Sequence, residues 1–151
     1  YLIKINCLIN YSIIYLTSLD LFADNPFIGR GIKSFRNNCI TKLYLPNRVC
    51  ENHPHNFYLD ILNDTGIFGL ILILLPVLIL LINLNKQYVL GENRNDKISN
   101  WIYLSIMMCL MVHFFPFKST GSFFSTFNST YAFLIIGLAL GLNEIKFQKK
   151  N

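Results

Sequence analysis

Three stretches of this chain stay apolar for close to the thickness of a bilayer. Gly66 to Leu84 (GIFGLILILLPVLILLINL) carries no charge at all. Ile98 to Phe115 opens with Trp101 and Tyr103, ring types that sit well at a membrane–water interface. Phe123 to Leu142 is polar in its first half and apolar in its second. About 30 Å of hydrocarbon takes roughly 20 apolar residues in a helix, so the pattern predicts transmembrane helices over about 66–84, 98–115 and 123–142. Pro76 should kink the first, which lipid tolerates where a neighbouring helix covers the freed carbonyl. Three such runs, parted only by short polar links, argue against buried helices of a soluble core. In residues 1–22, Lys4, Asn6, Asn10, Ser12 and Asp20 interrupt the aliphatic positions. That pattern suits an amphipathic helix at the interface, with a fourth span left open. Residues 23–65 form a polar segment and 143–151 a short tail. The expected fold class is all-α integral membrane: three transmembrane helices, an amphipathic helix before them, and an irregular extracytoplasmic loop.

Composition agrees. The 151 residues are 53% hydrophobic and 14% charged, where soluble domains carry about 25% charged residues, and the mean hydropathy is +0.43. Disorder is excluded by the excess of apolar side chains. A net charge of +5 invites a nucleic-acid reading, but the bases are scattered and flank apolar segments, so no nucleic-acid partner is expected. The chain begins at Tyr1 and is expected to be the tail of a longer protein. Lysine and arginine set the sidedness. The link around 85–97 carries Lys86, Arg94 and Lys97, and the tail carries Lys146, Lys149 and Lys150. Both are expected to face the cytoplasm, which leaves 23–65 and the turn at Lys118 outside. The bases of that outer segment (Arg30, Lys33, Arg36, Lys42, Arg48) are offset by Asp24, Glu51, Asp60 and Asp64.

The outer segment holds the candidate chemistry. Asn25-Pro26 followed by Gly29 and Gly31 is turn chemistry; a phosphate cradle would need a strand before it, and none is visible. On a helix Lys33 and Arg36 share a face, with Arg30 ahead of them. Such a cluster suits lipid headgroups or a diphosphate held by bidentate hydrogen bonds. Cys39 and Cys50, with ten residues between them, are expected to form a disulfide outside the cytoplasm, whereas Cys7 and Cys109 read as inert packing residues. His53-Pro54-His55-Asn56 stands at the mouth of the helix leading into the first span, at the outer boundary. An imidazole there can take a proton from a hydroxyl; a plain helix cap and a metal site of Cys50, Glu51, His53 and His55 are the other readings, and no metal is expected. His113 lies near the outer end of the second span. Lys118, in the turn 117–122, either helps neutralise a phosphate or is simply solvated.

Together these residues resemble the C-terminal part of the O-antigen ligase and polymerase family, polytopic bacterial inner-membrane proteins with a large periplasmic loop. The resemblance rests on residues 24–36 (DNPFIGRGIKSFR), on HPHNFYL with Gly66 and Gly69 downstream, and on 115–124 (FPFKSTGSFF). It implies a metal- and cofactor-independent glycosyltransferase that moves glycan from undecaprenyl diphosphate to a hydroxyl of lipid A core or another glycan. By position, His55 would be the base, His53 its support and Asn56 the residue orienting it. Arg36, Lys33, Arg30 and Lys118 would hold the diphosphate. The family's arginine ahead of the bend is not found in residues 1–29, which contain only Lys4 as a base; either it lies before Tyr1 or its role is filled differently. The fragment alone is expected to be inactive. A transport or flippase subunit, or a non-catalytic assembly module, are the alternatives, and both predict that the motif at 53–56 is dispensable.

Overall fold

The computed structural model describes residues 2–92 and 97–148, with side chains described at 11–89 and 100–142. Among them every regular element is helical. In order they are α1 (Leu2–Asp24), α2 (Phe35–Asn38), a 3-10 turn (Cys39–Lys42), α3 (Phe57–Glu92), α4 (Lys97–His113) and α5 (Thr126–Gln148). The segment expected to be irregular over 23–65 thus contains two short helical pieces and the start of α3. Arg94, Lys149 and Lys150, and the side chains of Cys7, Lys97 and Lys146, lie outside the described residues. The chain divides into two compact units, Tyr1–Leu72 with Pro116–Asn128, and Ile73–Phe115 with Ser129–Asn151.

In the second unit the inner positions recur every three or four residues, as a helix packed on one face requires. Val77, Leu80 and Leu84 are buried on α3, Tyr103 and Leu110 on α4, and Ala132, Ile135 and Ala139 on α5. The opposite faces are equally apolar, with Leu75, Leu78, Ile79 and Ile82 on α3 and Phe133, Leu134 and Leu138 on α5 all exposed. In water so much greasy surface would drive association; in lipid it costs nothing. The stretch Phe57–Val89 is long and apolar enough to cross a membrane, and only 17% of its most apolar window is buried. A core helix of a soluble protein would be covered. Asn100–His113 and Thr126–Leu142 are shorter apolar helices, so one helix among the described residues is long and apolar enough to cross, and the three expected spans are not all of that length.

The first unit is built around α1. Ile14 and Leu21 pack with Phe35 and Cys39, and Cys50 lies against them. The faces of α1 are not cleanly sorted by polarity, however. Thr17 and Ser18 are fully buried while Leu16 and Leu19 are exposed. The reason is that the inner polar groups bind other segments. The Thr17 hydroxyl donates to the Ile13 carbonyl at 3.0 Å and accepts the Val49 N–H at 3.2 Å. The Ser18 hydroxyl accepts from the Asn63 side-chain amide, and Arg48 pairs with Asp20. Buried polar groups are tolerated when partnered in this way.

Inside α3 the helix breaks at Gly66, whose φ of 69° and ψ of −168° are not helical. Glycine alone adopts that conformation without strain. The break divides the polar entrance, residues 57–65, from the apolar run, which continues through Pro76.

Candidate functional site

The approach to α3 is fixed by Asn56. Its Oδ1 accepts the N–H groups of Tyr58 at 2.9 Å and Leu59 at 3.3 Å, capping the helix. Its amide also donates to the Pro116 carbonyl at 2.7 Å. Both ends of the Asn56 side chain therefore bind backbone, and the side chain also meets the Tyr15 hydroxyl on α1. The residue before it, His55, holds φ at 55°, a left-handed conformation that costs a non-glycine residue of order 1–3 kcal/mol. Such a turn lets a chain pinned by the buried Pro54 enter the helix within one residue.

The His55 ring lies 4.3 Å from that of His53, tilted by 51°, and meets the edge of Tyr11 on α1 at 5.4 Å and 87°. Burial, and then the charge of His53, hold its pKa below the ordinary histidine value, with Glu51 opposing. At neutral pH the imidazole is thus uncharged and able to accept a proton.

Residues 116–123 dock onto this entrance at three further points. The Thr120 N–H donates to the His55 carbonyl at 2.9 Å. The Ser122 hydroxyl and the Phe123 N–H both donate to Asp60 Oδ2 at 2.8 Å. Lys118, carried on this turn, stands 5.4 Å from the centroid of the Phe57 ring, within cation–π range, and burial lowers its pKa. The Thr120 hydroxyl oxygen is buried with no hydrogen-bond partner among the described residues.

The glycine bend docks on the same short helix. Asp64 accepts from the Lys33 N–H, from the Ser34 N–H at 3.1 Å and from the Ser34 hydroxyl at 3.0 Å. The Arg30 N–H donates to the Asn63 carbonyl and the Gly31 N–H to the Asp64 carbonyl, each at 2.9 Å. Gly29 serves close backbone contact with Asp64 and Thr65, Gly31 holds a positive φ of 99° in open space, and the N–H groups of residues 30, 31, 33 and 34 all donate to α3.

The bases divide into two sets. Arg30 and Lys42 both pair with Asp24, and Arg48 pairs with Asp20. Lys42 and Arg30 together keep the Asp24 carboxyl below its usual range. No ion pair among the described residues engages Lys33, Arg36 or Lys118. Arg36 is exposed, one turn before Cys39, and Cys39 and Cys50 are bridged with their Cα atoms 5.2 Å apart. Lys33 holds a left-handed φ of 59°. His113 lies in the other unit, buried, with ring contacts to Phe114 at 5.0 Å and Tyr131 at 5.1 Å. Cys109, expected to be a packing residue, is exposed. Among the described residues no three His, Cys, Asp or Glu side chains stand together as an ion site.

Reasoning from sequence missed Asp60, Asn63 and Asp64, counted there only as charge offset or not at all. The available signal was their place: polar groups at 60, 63 and 64, on the turns that open an apolar helix, need partners. All three are buried.

Residues 11–74 match the family model described as O-antigen ligase. That stretch runs from the middle of α1 into the apolar part of α3, and includes the bend, both bridged cysteines and the histidine motif; Lys118 lies beyond it. No curated protein and no solved structure matches the chain.

Proposed function

We propose, from the match of residues 11–74 to the O-antigen ligase family model, that this chain is part of a membrane glycosyltransferase taking glycan from undecaprenyl diphosphate. The family match supports a ligase- or polymerase-like enzyme in general. The finer reading rests on His55, an imidazole in a left-handed conformation, kept neutral by burial and tied through its carbonyl to the turn that bears Lys118.

In the proposed reaction a ring nitrogen of His55 takes the proton of the acceptor hydroxyl. The oxygen forms a bond to the anomeric carbon as the bond from that carbon to the diphosphate oxygen breaks. The diphosphate leaves with the electron pair, and Lys33, Arg36 and Lys118 offset its charge. A sugar diphosphate is already activated, so the work left to the enzyme is alignment and proton removal. Lipid A core or a growing glycan supplies the hydroxyl, and the site faces the periplasm from the bacterial inner membrane. Arg30 contributes less than its position in the bend implies, because Asp24 already holds it. Asn56 acts by shaping the helix entrance rather than by touching the imidazole.

The test is His55→Ala in the full-length protein, expressed in cells lacking the native copy. Surface glycan transfer should be lost with membrane insertion unchanged. Wild-type transfer would remove the catalytic reading and leave a transport or assembly role.

A further inference from the structure

We infer that Asp60 is a positioning residue that holds Lys118 against the site through the turn 116–123; the inference rests on the glycosyl-transfer reading above. Asp60 is 2% exposed, and its Oδ2 accepts the Ser122 hydroxyl and the Phe123 N–H, both at 2.8 Å. That pair of hydrogen bonds from the turn to α3 fixes the Phe123 backbone. The Phe123 ring then meets Phe57 edge to face, 5.4 Å between centroids at 81°. The face of Phe57 in turn carries the Lys118 ammonium at 5.4 Å. Carboxyl, backbone, ring, ring and ammonium make one continuous path. Asp60 itself faces the turn and not the imidazole, so it acts through Lys118.

The near end of the turn has independent ties, from Asn56 to the Pro116 carbonyl and from Thr120 N–H to the His55 carbonyl. Without Asp60 those ties keep the chain close, but the turn at Ser122 and Phe123 loses both hydrogen bonds to Asp60, and the edge-to-face contact that Phe123 makes with Phe57 loosens. Lys118 should then sample positions away from the anionic group it serves. Such a loss acts on binding of the diphosphate and not on proton removal by His55.

The experiment uses the full-length protein in nanodiscs, with undecaprenyl diphosphate as the binding probe and glycan transfer as the kinetic readout. Asp60→Ala and Lys118→Ala should each weaken undecaprenyl diphosphate binding by roughly tenfold, the scale of one lost charge-assisted contact, and lower kcat/KM by a similar factor without moving the acid limb of its pH profile. The double variant should be no weaker than either single one, because both remove one interaction. Asp60→Asn, whose amide oxygen can still accept both hydrogen bonds, should restore binding. Multiplied losses in the double variant, or normal binding by Asp60→Ala, would overturn the inference. Should Asp60→Ala fail to fold, Ser122→Ala, which removes one of the two bonds, must show the same non-additivity with Lys118→Ala. Loss of transfer by His55→Ala alongside unaltered binding by Lys118→Ala would sink this inference while sparing His55 as the base of the proposed reaction. Full transfer by His55→Ala would do the reverse.

Discussion

Gly66 lies with its backbone directly against the carbonyl group of Phe27. The next two N–H groups donate across the same contact, Ile67 to the Pro26 carbonyl at 2.8 Å and Phe68 to the Phe27 carbonyl at 3.3 Å. A Cβ on Gly66 would fall onto the Phe27 carbonyl and the Ile28 nitrogen. From the other side, a Cβ on Gly29 would come within 2.5 Å of the Asp64 carbonyl carbon and the Thr65 nitrogen. Two glycines from distant parts of the chain thus let the bend and the broken helix touch backbone to backbone.

Gly66→Ala should therefore lower stability by about 3 kcal/mol or more, combining left-handed strain with a clash against backbone that has no room to yield. Gly137→Ala makes the control, because a Cβ there meets nothing within 4 Å. Melting in detergent and resistance to protease at residues 25–34 measure the difference. Equal melting of the two variants would refute the close-contact account.

The pH dependence follows from His55. Its folded pKa is depressed, so between that value and the unfolded one, near 6.5, the unfolded chain binds the extra proton. Its contribution to stability is fully present above about pH 6.5 and is lost as pH falls through the lower folded value. Activity should behave in the same sense, with the acid limb of kcat/KM inflecting below 6.5. His53→Ala removes one of the two depressing influences and should move the limb upward, while burial keeps it short of the unperturbed position. A limb at or above 6.5 in the wild type would contradict the geometry.

How much of this was legible beforehand depends on what each residue answers to. The apolar run after Gly66 and the helical reading of residues 1–22 follow from periodicity and length alone, and both regions are helical. The start of α3 just after Asn56 could be read from Pro54 and the apolar positions that follow, but what Asp60, Asn63 and Asp64 bind could not, until their partners at 122–123, at 18 and at 33–34 are known. Those partners are remote in sequence, and no local pattern announces them. The glycines of the bend could be read as a turn, but which backbone they approach could not. The basic residues looked alike on the page; only the placement of Asp20 and Asp24 separates those already paired from Lys33, Arg36 and Lys118.

Asp64 offers a third prediction. Three hydrogen bonds converge on its carboxyl from Lys33 and Ser34, and Ser34 is buried. Asp64→Ala would leave the Lys33 N–H and the Ser34 hydroxyl without this acceptor, at about 1–3 kcal/mol for each one kept from water, while the Ser34 N–H keeps the Gly31 carbonyl at 3.1 Å. The bend should loosen, so hydrogen exchange at 31–34 should quicken strongly, with exchange in the second half of α3 unchanged. Asp64→Asn keeps an acceptor and should lose less. Unaltered exchange at 31–34 in Asp64→Ala would show that the glycine contact alone holds the bend.

The bridge between Cys39 and Cys50 yields a fourth. It closes a loop with a sequence separation of 11, which by chain entropy is worth about 3 kcal/mol. Cys39 is fully buried against Ile14, Leu21 and Phe35, so opening the bridge also leaves a thiol inside that cluster. Cys50→Ser should lower the melting temperature in detergent, and a reductant should bring the wild type to nearly the same value. Arg36, whose carbonyl faces both sulfurs, lies on the segment that would loosen first. A melt insensitive to reductant would mean that packing on α1 suffices.

Sidedness decides whether any of this chemistry can meet a periplasmic glycan. Tyr44 is 79% exposed and lies between the bridged cysteines; Lys86 is exposed near the far end of α3. With every cysteine of the full-length protein other than Cys39 and Cys50 changed to serine, the two that remain are held in the bridge and do not react with a maleimide. A single added cysteine, Tyr44→Cys or Lys86→Cys, then reports its own side. An impermeant maleimide applied to intact spheroplasts should label position 44 at once and position 86 only after the membrane is opened. The bases at Lys86, Arg94 and Lys97 favour that orientation, since lysine and arginine near a span hold it in the cytoplasm. The reverse labelling would put His55 on the cytoplasmic side, where it could not serve an acceptor on the outer face.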